Sequence, residues 1–225
     1  MSTTAEHHPS ITTASDRGAS RAERRGRAVG IAVLAYFALA WTAWGMSSGV
    51  PSALEAPTIA VAALGSVALL VTAVLMYRRA ASLPHGPDTA GGRTAGRRFG
   101  IIVGVEFSGL FLLAAILAGT GHPQLVPAVV CLGVGVHFFP LRRLFHVPIY
   151  DRTGMALCLV ALATAVAAPL ADHPALWTIL PGIGAALTLY STCAILLRTT
   201  HTHRPRCRPS TTPEPRSTGD LGLSR

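Results

Sequence analysis

The sequence predicts an all-α polytopic membrane bundle of six transmembrane helices, and three observations lead there. Half of the 225 residues are hydrophobic and only 13% are charged, where a soluble chain carries about a quarter. Apolar stretches of spanning length recur six times, five of them without a charged residue. All nineteen Lys-or-Arg positions are arginines, and they cluster between alternate pairs of those stretches.

Residues 1–27 are rich in Ser, Thr, Ala and Arg without apolar periodicity, and read as a disordered basic segment. The transmembrane domain, 28–197, holds spans at 28–46, 57–77, 99–119, 124–141, 153–170 and 175–197. About twenty residues rising 1.5 Å each cross a hydrocarbon core of about 30 Å. Lipid offers no hydrogen bonds to free backbone groups, so such spans are helices; a barrel needs alternating polarity, which is absent. The connection 78–98 is Gly- and Pro-rich and reads as a flexible loop. Residues 198–225, rich in Pro, Ser, Thr and Arg, read as a disordered basic tail.

Orientation follows from the arginines. Five precede the first span, five lie in the second connection, three in the fourth and six in the tail. The first, third and fifth connections hold none. The positive-inside rule therefore predicts an N-in/C-in topology with both termini cytoplasmic. Trp41, Trp44 and Trp177 fall toward the outer interface, as an aromatic belt would. Abundant Ala, Arg, Gly and Pro without lysine suggests a GC-rich bacterial genome, hence a bacterial inner membrane. A second reading takes Arg24–Arg27, the apolar run and Ala38-Leu39-Ala40 as a cleavable signal peptide. Continuation of the run through Met46 favours a retained span.

The net charge of +9 raises nucleic acid as a partner. The arginines flank apolar spans, however, so the predicted partner is the bilayer itself, through anionic headgroups at the cytoplasmic face, with no nucleic acid. Cys131, Cys158 and Cys193 lie inside spans and Cys207 in the basic tail, so no disulfide framework is expected.

Two side chains in the spans carry chemistry. Glu106 is the one carboxylate well inside a span, about 10–12 Å from its arginine-bearing end. His137 is the one histidine inside a span, at similar depth on the next helix. The short link 120–123 makes those helices antiparallel neighbours, so the two side chains can meet. Such a pair suits a proton or ion site. A buried hydrogen bond that locks two helices together is the favoured reading of the sequence, because one polar pair makes no pathway. The third span also shows Gly100, Gly104 and Ser108, spaced by four, a stripe that permits close helix approach. Intramolecular packing is its first expected use and homo-oligomer formation its second. With reasons for cover on two faces, the third helix is expected to be central.

The end of the fourth span brings together Pro140, Arg142, Arg143, Phe145 and, a few residues on, Tyr150. Pro140 can kink the last turn. The following arginines suit a segment in the inner interface, snorkelling to phosphates with Tyr150 as an anchor. The stretch Gly135, His137, Phe138, Pro140, Leu141, Leu144, Phe145, then Pro148, Tyr150, Thr153 and Gly154, resembles a signature in a group of small, uncharacterised bacterial six-span membrane proteins. Glu106 and the Trp41/Trp44 pair match that group as well. A small residue usually follows its Pro-Leu, where this chain has Arg142. The resemblance implies a six-span bundle and no particular activity.

No catalytic motif of the GxSxG, HExxH or Walker type is present, so no enzyme is predicted. No haem-type histidine pair or zinc spacing is present, so neither cofactor nor metal is expected. His201, His203 and Cys207 in the tail, and His122, Asp172 and His173 in the outer connections, read as solvated positions.

Overall fold

The structure, a computed structural model, describes residues 14–48, 50–82, 90–145 and 147–202. Six α-helices and no strands are found among them: α1 (Ala14–Met46), α2 (Ser52–Ala81), α3 (Ala90–Gly119), α4 (Val126–Phe145), α5 (Ile149–Leu170) and α6 (Leu176–Thr202). Each contains a stretch long and apolar enough to cross a membrane. This is the fold of a multi-pass membrane protein.

At the arginine-bearing end the helices outrun the spans. α1 begins at Ala14, α3 at Ala90, and α6 reaches Thr202, so residues 14–27, 90–98 and 198–202 are helical where irregular chain was expected. Once an apolar span has nucleated a helix, each further residue adds a hydrogen bond without a nucleation cost, and Ala and Arg favour it. Residues 1–13, 83–89 and 203–225, which include His203 and Cys207, lie outside the described residues. α4 likewise continues through Pro140 to Phe145, instead of ending in an interfacial segment.

The opposite end stops sharply. Gly121, at φ +84°, closes α3: His122 N–H donates to the Leu117 carbonyl (2.8 Å) and Gly121 N–H to that of Ala118 (3.3 Å). This double bond is the Schellman stop, which needs a left-handed residue.

The helices pack in the order α2–α1–α6–α5–α4–α3, with α4 also touching α6. α1 packs on both α2 and α6, where Ile31, Ala35 and Ala38 are fully buried. Close approach is made by glycines facing glycines. A Cβ on Gly45 would sit 3.0 Å from Gly182 Cα, and one on Gly154 would sit 2.7 Å from the Gly135 carbonyl oxygen. Backbones in contact are the means by which helices associate where lipid removes the hydrophobic drive. Buried hydroxyls then tie the helices: Thr153 and Thr192 join α5 to α6 at 2.7 Å. Ser66 of α2 donates to the Ala35 carbonyl of α1 (3.0 Å) and meets the Tyr190 hydroxyl of α6 (2.8 Å).

Three expectations are corrected here. α3 is peripheral: no described residue of Phe99–Gly119 is buried, and beyond α4 and the turn Pro123–Leu125 it meets α1 through Phe107 against Phe37, ring centroids 6.3 Å apart. Nor does its small-residue stripe pack within the bundle. A Cβ on Gly100 or Gly104 would meet nothing within 4 Å, and Ser108 is exposed. Spacing by four aligns small residues on one face, but α3 turns its other face to α4. Trp41 is also not an interfacial belt residue; it is buried and stacked on Trp44, centroids 5.2 Å apart.

Candidate functional site

The side of α3 that faces α4 consists of Val103, Glu106, Leu110, Ala114 and Leu117, all half-buried and spaced by three or four residues, the repeat of one helix face. A knob and a hole set the register. Leu110 fills the space above Gly133, where an added Cβ would come within 3.1 Å of Leu110 Cδ1. In an antiparallel pair, stepping one turn back on α3 and one turn forward on α4 leads from Leu110/Gly133 to Glu106/His137. The Glu106 Oε2 and His137 Nδ1 atoms do meet there, as a hydrogen-bonded pair. Farther toward the arginine-bearing end, Phe99 and Phe145 touch edge-on at 5.7 Å between centroids. One zipper of three contacts therefore holds α3 to α4, and the polar pair is its middle tooth.

The pair is not sealed. Glu106 keeps 20% and His137 13% side-chain exposure. Glu106 Oε1 and His137 Nε2 have no partner among the described residues, and neither atom is fully covered. Beside them runs a groove of about 370 Å³ lined by Leu110, Leu113, Val129, Leu132, Gly133 and Val136, with the pair and Pro140 at one end. Its walls come from α3 and α4 alone. It lies on the outside of the bundle at span depth, where hydrocarbon would be its solvent.

The remaining predicted residues have different neighbours. Pro140 lines the groove without ending α4. Arg142 forms an ion pair with Asp151 at 2.6 Å, both well exposed, and Arg143 is exposed. Tyr150 is not a lipid anchor. Its ring packs on Phe138 at 5.6 Å and its hydroxyl reaches Gly30 of α1, 3.3 Å from where a Cβ would stand. At the arginine-free end, Asp172 and His173 line a second cavity of about 370 Å³ with Gln124 and Trp177. Among the described residues no three His, Cys, Asp or Glu side chains converge as for a metal ion.

Sequence reasoning found the pair but missed Leu110 and Gly133, which set the register that unites it. Gly133 carried a signal, as a glycine within a span one turn from the histidine. It also missed the Ser66–Tyr190 and Thr153–Thr192 contacts, which polar side chains inside spans could have flagged. Compared with known protein families, curated proteins and solved structures, the chain matches none.

Proposed function

We propose that this protein is a proton-coupled membrane carrier whose working element is the Glu106–His137 pair, and that α3 is its movable part. The observation that supports this most is where the pair lies. It joins the helix with no buried residue in its span to a bundle closed by glycine contacts and buried hydroxyls. Moving a proton onto or off such a pair changes the strength of its hydrogen bond, so it biases how firmly α3 is held. Ionisable groups inside membrane spans are most often functional for the same reason: an idle one costs several kcal/mol.

In this reading the protein sits in a bacterial inner membrane with both termini cytoplasmic. Its arginines meet anionic headgroups on that side, and the pair lies in the cytoplasmic half. The signature around His137 and Pro140 would then mark a group of six-span proteins sharing this site. A proteoliposome proton-flux assay on the wild type and Glu106→Gln tests the proposal. Glu106→Gln is expected to insert and fold but to lose the flux; equal flux in the two proteins removes the pair as the working site.

A second reading, a membrane-embedded interaction subunit, is favoured by the outward-facing Gly100, Gly104 and Ser108. On that reading α3 is held in place by another chain, and cross-linking of cysteines at 100 and 104 between copies would reveal it.

A further inference from the structure

From the groove beside the pair we infer the substrate class: a membrane-dissolved amphiphile with a hydroxyl head and a hydrocarbon tail, entering sideways from the bilayer. This rests on reading the Glu106–His137 pair as the working site and adds what that site binds. Three observations carry it. The groove between α3 and α4 has a volume of about 370 Å³, within the usual range of small-molecule sites, roughly 300–1,000 Å³. Its walls are aliphatic, and Leu113, Leu132 and Val136 are each more than two-fifths exposed, so it opens along the side of the bundle, the face that lipid would cover.

The third observation selects the head group. Glu106 Oε1 and His137 Nε2 have no partner among the described residues, at the end of an otherwise aliphatic groove. In hydrocarbon an unsatisfied polar atom costs free energy unless a ligand supplies the bond. A hydroxyl can donate to the carboxylate oxygen and accept from an imidazole N–H at once. An aqueous metal or alkali cation fits poorly, because one carboxylate and aliphatic walls cannot replace the six to eight oxygens of a hydration shell. An alkane fits the walls and leaves both polar atoms unmet.

The test uses the full chain in nanodiscs of phosphatidylethanolamine and phosphatidylglycerol. Two matched photoreactive probes are compared, dodecan-1-ol and dodecane carrying the same mid-chain diazirine, with labelled peptides mapped by mass spectrometry. The alcohol is expected to label residues 129–136 about tenfold more than the alkane, the factor a hydrogen bond to a charged group supplies. Val136→Trp, which fills the groove, should abolish that labelling, and Glu106→Leu should make the two probes equal. Equal labelling by both probes in the wild type overturns the inference, whether or not either variant folds. So does alcohol labelling that survives in a folded Val136→Trp protein. Absent alcohol preference with Glu106-dependent proton flux intact would discard this ligand class and leave the carrier reading. Alcohol preference without Glu106-dependent flux would discard proton coupling and leave the ligand site.

Discussion

α2 and α3 are near twins by composition: thirty residues each, with the two highest mean hydropathies of the six spans, 2.5 and 2.4. They occupy opposite ends of the same row of helices, yet they are held by different physics. α2 buries Ser66, Ala73 and Ala80, spaced by seven as in a heptad seam of small residues. It is also pinned by Arg21 donating to the Ala81 carbonyl at 3.0 Å and by Arg25 lying 5.1 Å above the Tyr77 ring. α3 buries nothing in its span and is held by one knob, two ring contacts (Phe99 on Phe145 and Phe107 on Phe37) and one protonatable pair. Hydropathy alone says that a helix enters the membrane. What fixes it to its neighbours is small residues that meet other small residues, and polar groups with partners.

The sharpest way to break this contrast is with bulky substitutions at glycines. Gly182→Leu is expected to destabilise the protein by about 3 kcal/mol, the upper end of usual overpacking costs, because its side chain would run into the Gly45 backbone. Gly104→Leu should change stability by no more than about 0.5 kcal/mol, as at an open surface site. Unfolding of the purified protein in mixed micelles measures both. A destabilised Gly104→Leu would mean that α3 is covered by another chain after all.

Next come the polar ties. His137→Ala removes the pair and should cost about 1–2 kcal/mol in the same assay, the range for interhelical hydrogen bonds in membranes. It should also raise the rate at which a cysteine placed at 110 reacts with a lipid-soluble thiol reagent. Tyr190→Phe takes a hydroxyl from the α1–α2–α6 contact. Its expected cost is smaller, about 0.6 kcal/mol, the average for such bonds, since Ser66 still donates to Ala35. Arg142→Ala should have the least effect, below about 0.5 kcal/mol, because its ion pair with Asp151 is exposed.

Much of this was legible in the sequence, and the failures have physical causes. Six apolar runs and clustered arginines yield six helices, because span length and backbone satisfaction leave no other solution. Glu106 and His137 come together because a four-residue link forces adjacent antiparallel helices. The place of α3 in the row was not legible. The Gly100–Ser108 spacing says a helix can be approached closely, not that anything approaches it; the glycines that do meet, Gly45 with Gly182 and Gly135 with Gly154, lie far apart in sequence. Tyr150 and Trp41 were misread for a similar reason. An aromatic near a span end suits the lipid interface and the bundle interior equally, and only the neighbouring helix decides.

The central claim is that the Glu106–His137 pair is the decisive tie of α3, more than its knob and ring contacts. Distances between spin labels test it directly, in a cysteine-free background with one label pair at 116 and 162, on α3 and α5, and another at 61 and 162, on α2 and α5. Replacing His137 by Ala is predicted to broaden the α3–α5 distribution and leave the α2–α5 distribution unchanged. An α3–α5 distribution as narrow in His137→Ala as in the wild type would contradict the claim.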